Sequence, residues 1–256
     1  MAERLAQGPQ AVCGDSENSA ADFRRILLVP LRTARTEPDS ARDATAGGRP
    51  RPRAVRLAFV SICATASRAL GEPLAGTAAT ARTWLLIEQP GPWGAKALTS
   101  SRLDPGLGRR LEEAARGTGV RLGLIRRPGR TAPTPTRRVF AAHVVPGQGW
   151  VHEASIPSDD AERLLALDLK ELGAGNATSF LDEAHGVSGT PYTGAPLVCV
   201  CANGKRDRCC ALLGRPLAAE LRAAGTEGVW EVTHLGGHRF SPTLLVLPYG
   251  YAYGRA

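Results

Sequence analysis

Cysteine and histidine are scarce in this chain of 256 residues, six and five in all, yet they crowd together near one end. Cys199, Cys201, Cys209 and Cys210 fall within one twelve-residue window, and His234 and His238 follow with Leu235-Gly236-Gly237 between them. Thiolate sulfur and imidazole nitrogen are a protein's ligands for soft and borderline metals, so the pattern points to a metal or redox centre. The histidines have the i, i+4 spacing of one helical face, but each intervening glycine disfavours helix by about 1 kcal/mol relative to alanine. A Gly-Gly pair suits a loop that approaches a ligand closely, with both imidazoles turned to a common centre. Cys201 and Cys210, with eight residues between them, can bring two thiolates to the same place. Structural Cys2His2 zinc sites usually space their cysteines by two to four residues. The wider loop suits a two-iron cluster better, and zinc stays as the rival reading.

Certain elements must position these donors. Residues 197–201 form an apolar run that reads as a buried strand carrying Cys201 at its carboxyl end. Asn203-Gly204 turns the chain, and Gly214-Arg215-Pro216 opens a helix, with proline where a missing N–H costs little. Residues 229–233 read as a strand leading into His234, and 243–247 with 251–253 as a hairpin. This βαβ–ββ order resembles a thioredoxin-like core.

Upstream, 84–88 reads as a buried strand closed by the turn Gln89-Pro-Gly-Pro-Trp-Gly94. Asp104-Pro105 is an N-cap and N1 pair, and Leu107, Leu111, Ala114 and Ala115 give an amphipathic helix stopped by Gly117 and Gly119. Strands are expected at 120–125, 139–145 and 150–156, and a helix with an acidic start over 159–172. The fold class is therefore α/β. The expected organisation is a disordered extension over 1–54, too polar to offset its ordering entropy. An N-terminal α/β unit follows over 55–175, then a Gly/Ser/Thr/Pro-rich linker over 176–195 and a second unit over 196–256.

Composition narrows the function. The cysteines are too few and too clustered for a disulfide framework, which favours a reducing, cytoplasmic setting. The longest apolar runs, near 26–31 and 57–64, are too short to span a bilayer. Of the 32 basic residues, all are arginine except Lys96, Lys170 and Lys205, and the formal charge is +8. Six arginines lie between Arg121 and Arg138 with no acid among them. That stretch lacks aromatic interleaving or a nucleic-acid motif, so it reads as a solvated edge or a dock for an acidic partner. No Gly-x-Ser-x-Gly elbow, P-loop or GxGxxG fingerprint occurs. His143 and His152 sit in strand patterns and read as structural. The adjacent Cys209-Cys210 raises a thiol oxidoreductase reading, but no C-x-x-C pair at a helix start supports it.

The combination Cys201-x8-Cys210 with His234-x-Gly-Gly-His238 resembles the sucrase/ferredoxin-like family, with support from Glu88-Gln-Pro-Gly-Pro-Trp-Gly94. The resemblance runs over roughly 55–256. It implies a thioredoxin-like ferredoxin domain, here without the last helix, holding a [2Fe-2S] cluster. Carried over by position, Cys201 and Cys210 would hold one iron, and His234 and His238 the other. The adjacent Cys209 would give the spacing C-x7-C instead. The resemblance implies a one-electron, proton-coupled carrier with an unidentified redox partner rather than a sucrase.

Overall fold

Among the described residues, short apolar runs become nine strands of a single sheet. The computed structural model describes residues 63–75, 80–129 and 132–256, all within one compact unit, Ala58–Ala256. The extension expected over 1–54, with Cys13, lies outside the described residues. A short helix α1 (Cys63–Ala69) precedes β1 (Thr83–Glu88), α2 (Pro105–Ala115), β2 (Val120–Arg126), β3 (Thr136–His143) and β4 (Trp150–Pro157). Asp104 caps α2 as its sequence suggests, accepting the Leu107 N–H at 2.7 Å. After α3 (Leu169–Gly173), α4 (Thr178–Leu181) and β5 (Thr190–Pro191) come β6 (Leu197–Cys201) and α5 (Arg215–Ala223). The described chain closes with β7 (Val229–Val232), β8 (Thr243–Leu247) and β9 (Tyr251–Gly254).

One wiring occurs twice. β1 and β2 are parallel with α2 between them, β3 runs antiparallel to β1, and β4 to β3. β6 and β7 are likewise parallel around α5, with β8 antiparallel to β6 and β9 to β8. Central strands of this kind are covered on both faces, and β1, β6, β7 and β8 are accordingly apolar along nearly their whole length. The halves join where β2 and β7 pair antiparallel, with Ile125 opposite Val232 and Arg126 opposite Glu231. Because that overlap lies at the carboxyl ends of both strands, Glu88, Ile125, Val232 and Cys201 form one row across the sheet.

The described residues of segments 55–175 and 196–256 therefore share a sheet and part of a core. One apolar cluster, with Leu85, Leu111, Leu124 and Phe180, belongs to the first half. The other joins Trp84, Leu86 and Phe140 to Leu197, Trp230 and Leu245. Phe140 and Trp230 meet edge to face at 5.5 Å, a geometry that adds about 0.5–1.5 kcal/mol beyond area burial.

The structure departs from the sequence reading in three places. The helix expected over 159–172 is a 3-10 segment, Ala161–Ala166, followed by α3. Asp168 divides them, its carboxylate accepting the N–H groups of Lys170 and Glu171 at 3.0 Å. The stretch read as a linker, 176–195, carries α4 and β5, pairs with β4 and buries Phe180 and Val187 completely. The arginine-rich stretch is largely an internal brace rather than a solvated edge. Arg126 pairs with Glu231 at 2.6 Å, and Arg127 lies 3.8 Å over the Trp230 ring. Arg137 donates to Gln89 and to the Ser158 carbonyl, and Arg138 pairs with Glu153.

Candidate metal centre

β6 is wholly buried and ends at Cys201, so its thiol emerges at the carboxyl end of a central strand. The following loop is pinned at both ends. Buried Asn203 donates to the Gly94 carbonyl at 3.1 Å, and Asp207 accepts the Cys209 N–H at 2.8 Å. Cys210 then opens a π-type turn, Cys210–Gly214, that runs into α5. Such wide turns recur at functional sites. A Cβ at Gly214 would overlap the Cys201 carbonyl oxygen, so glycine there lets the turn close onto the strand. β7 delivers His234 from the adjacent strand. Gly236 and Gly237 take φ of 99° and 63°, and His238 opens a 3-10 turn, His238–Phe240. The histidines thus sit on a loop, as the glycines imply.

Three of the four expected donors converge. One ligand atom each from Cys201, Cys210 and His234 lies within 4.8 Å of the others. His234 Nδ1 is 3.9 Å from Cys201 Sγ and 3.8 Å from Cys210 Sγ. The Cys210 thiol donates to Cys201 sulfur, which lowers the Cys201 pKa foremost. Burial opposes this, and His234 and the Leu235 N–H add to the lowering. The same shared proton and burial push Cys210 upward. A neighbouring thiol, an imidazole and an N–H already favour negative charge on Cys201 sulfur, as a thiolate ligand requires.

His238 stands apart from this trio. Its ring centroid is 5.9 Å from that of His234, and its Nε2 lies 3.6 Å from the Asp207 carboxylate. The remaining cysteines point elsewhere. Cys199 is buried in the shared core, where desolvation pushes its pKa up to about 12. The Cys209 thiol takes the backbone N–H of Ala64 in α1 and is also raised, first by burial. All five described cysteines are free.

Two residues of the setting belong to no motif in the sequence. Arg121, at the start of β2, donates to the carbonyls of His234 and Leu235 at 3.1 and 2.8 Å, with its guanidinium 4.8 Å from the Trp84 ring centre. It fixes the loop that carries both histidines. Asp207 faces His238, and its only sequence clue is its place between the two ligand-type cysteines. Lys205 and Arg206 are exposed, whereas Arg239 faces Glu72 at 3.6 Å. His143 bonds Thr83 at 2.7 Å and stacks on Trp150, and His152 packs on the same ring. Both belong to β3 and β4, as structural residues would.

The profile of the family described as sucrase/ferredoxin-like fits residues 74–256, most of the chain. No curated protein and no solved structure matches it. The Cys/His group, within a chain that fits this profile, suits a metal-binding role. Among the described residues, no helix is long and apolar enough to cross a membrane.

Proposed function

The chain belongs to the sucrase/ferredoxin-like family, and from that premise we propose that it is an electron-transfer protein carrying a [2Fe-2S] cluster. In this reading Cys201 and Cys210 hold one iron, and His234 and His238 hold the other. One observation carries it: Cys201, Cys210 and His234, from three separate elements, meet within 4.8 Å at the carboxyl ends of central strands. The donor set fits the group, since soft thiolates and imidazoles are the ligands iron–sulfur centres use.

When bound, such a cluster supplies one-electron redox capacity, and imidazole ligation raises its potential to roughly −150 to +300 mV, from about −400 mV with thiolates alone. The chain's own residues do the rest. Cys201 and Cys210 bind as thiolates, and Arg121 orients the histidine loop through two carbonyls. His238 Nε2 lies 3.6 Å from the Asp207 carboxylate, which would orient the ring with Nδ1 free for a cluster were one held there. A bound cluster would supply the electron, and the His238–Asp207 pair would offer a route for a proton beside it. Free cysteines suit a reducing, cytoplasmic setting. The exposed Lys205 and Arg206 suit an acidic redox partner.

A specific observation favours a second reading, a structural zinc site. Donor separations of 3.8 and 3.9 Å approach the edge of a zinc tetrahedron, about 3.6 Å for normal Zn–S and Zn–N bonds. Anaerobic purification with iron and acid-labile sulfide analysis separates the two. Equal iron and sulfide, visible colour and an EPR signal on reduction are expected. Colourless protein containing zinc alone would overturn the iron–sulfur reading.

A further inference from the structure

From Arg208 to Ala223 the chain is one helical run, the π-type turn leading directly into α5. Cys209, Cys210 and Gly214 are its buried side near the start, whereas Arg208, Leu212 and Arg215 are exposed. Steps of four and three residues place those three on one outward stripe, over the turn that holds Cys210. Leu212 is 46% exposed, a large apolar side chain left in water. The preceding loop leans on the same turn. A Cβ at Gly204 would lie 2.5 Å from that of Ala211, so Lys205 and Arg206, both exposed, adjoin the stripe.

Charge on this face is one-sided. Between Cys201 and Ala219 the basic residues are Lys205, Arg206, Arg208 and Arg215, and the single acid is Asp207. Asp207 is spent locally, on the Cys209 N–H and toward His238. Among the described residues none of the four basic side chains has an ion pair, whereas Arg126, Arg138 and Arg163 are matched to carboxylates. Cations gathered without counter-charges repel one another, so this face gains from a partner that brings carboxylates. An apolar centre within a polar rim is how protein interfaces are built, and a charged rim speeds encounter more than it tightens binding. Nucleic acid is served less well, since no aromatic residue for base stacking occurs between Leu197 and Ala219.

We propose that Lys205, Arg206, Arg208 and Arg215, set about Leu212, form the docking surface for an acidic protein. Under the electron-transfer reading that protein is the redox partner, seated on the helical turn of ligand Cys210. What the partner does rests on that reading; what the face binds rests on its charge and its exposed leucine.

Fluorescence anisotropy tests the surface, with the full chain in whatever metal state it is purified and a labelled peptide of glutamates around a central phenylalanine. The peptide should bind saturably and weaken as salt rises. Lys205→Gln, Arg206→Gln and Arg208→Gln together should weaken it at least about fivefold, while glutamine at Arg109, Arg110 and Arg116, exposed along α2 and its end, should change it less than about twofold. Leu212→Ser should weaken it at least about threefold, and should matter less for a peptide with alanine in place of phenylalanine. Absence of saturable binding, equal losses from the two triple variants, indifference to Leu212→Ser, or tighter binding of a single-stranded oligonucleotide would each overturn the proposal. Iron and sulfide analysis of the same sample keeps the two readings apart. Iron–sulfur protein that ignores the peptide refutes the docking surface alone, and zinc protein that binds it refutes the redox reading alone.

Discussion

Replacing Arg121 with glutamine should loosen the histidine loop while leaving every metal donor in place. The guanidinium donates to two carbonyls of that loop, at 3.1 and 2.8 Å, and lies over the Trp84 ring. Burial lowers its pKa, a sign that the cation is partly withdrawn from water. A hydrogen bond from a charged group contributes about 1.5–3 kcal/mol. The two bonds share one nitrogen and are not independent, so their sum belongs near the lower end. With roughly 0.5–1 kcal/mol from the ring contact, the expected loss is about 2–3 kcal/mol. Because the contacts hold one loop, the loss should appear chiefly as the cost of ordering that loop around a metal. At 1.4 kcal/mol per factor of ten, affinity should fall roughly 30-fold or more. Cobalt(II) titration of metal-free protein, followed by its thiolate charge-transfer band, reads the donors whichever metal is native. Affinity within twofold of the parent would refute the role assigned to Arg121.

Three further outcomes follow from the same geometry. Cys210→Ser should lower the cobalt charge-transfer intensity to that of the Cys201 thiolate alone, whereas Cys209→Ser should preserve it in full, because the Cys209 thiol faces Ala64 rather than His234. The opposite pattern would reassign the second thiolate. Glu231→Ala should destabilise the protein by about 3–5 kcal/mol in urea unfolding. It leaves Arg126, only 11% exposed, without its partner at the β2–β7 seam. In loaded protein, the reduction potential should fall by up to about 59 mV per pH unit once the oxidised form loses its imidazole proton. The sign follows because raising pH stabilises the deprotonated, oxidised state. A flat potential from neutral to alkaline pH would exclude proton coupling.

What the sequence made legible was local, and what it hid was remote. The two glycines betray a loop because their conformational cost in a helix is intrinsic, and both indeed take positive φ. Residues 197–201 announce a buried strand by continuous apolarity, which places Cys201 at its end. The α/β class and the central strands follow from such runs, and the family profile covers the same region. Arg121 contacts the loop across more than a hundred residues of chain, and no pattern within β2 marks it. The break at Asp168 was equally hidden, since a capping aspartate and a helical surface aspartate look alike until the N–H groups it accepts are seen. Residues 176–195 looked like a linker because their apolar residues are sparse, yet Phe180 and Val187 are buried in the first core and β5 pairs with β4.

The repeated wiring explains why the arginine-rich half bears on the metal site. In the second half, the carboxyl ends of β6 and β7 present Cys201 and lead to His234. In the first half the corresponding ends, after Glu88 and at Arg126, hold a polar brace instead of donors. Trp93 Nε1 donates to the Gln89 carbonyl at 3.0 Å, Arg137 reaches Gln89 Oε1 at 2.9 Å, and Arg126 spans from the Gly91 carbonyl to Glu231. Glu231 lies three residues before His234 on β7, and Gly94 of the same turn accepts from Asn203 in the cysteine loop. The turn 89–94 therefore touches both donor-bearing segments, through Arg126 and Glu231 on one side and Asn203 on the other. Rigid placement of donors needs supports that are themselves fixed by packing and hydrogen bonds. The first half supplies that support, because its strand ends and those of the second half meet in one row of the sheet.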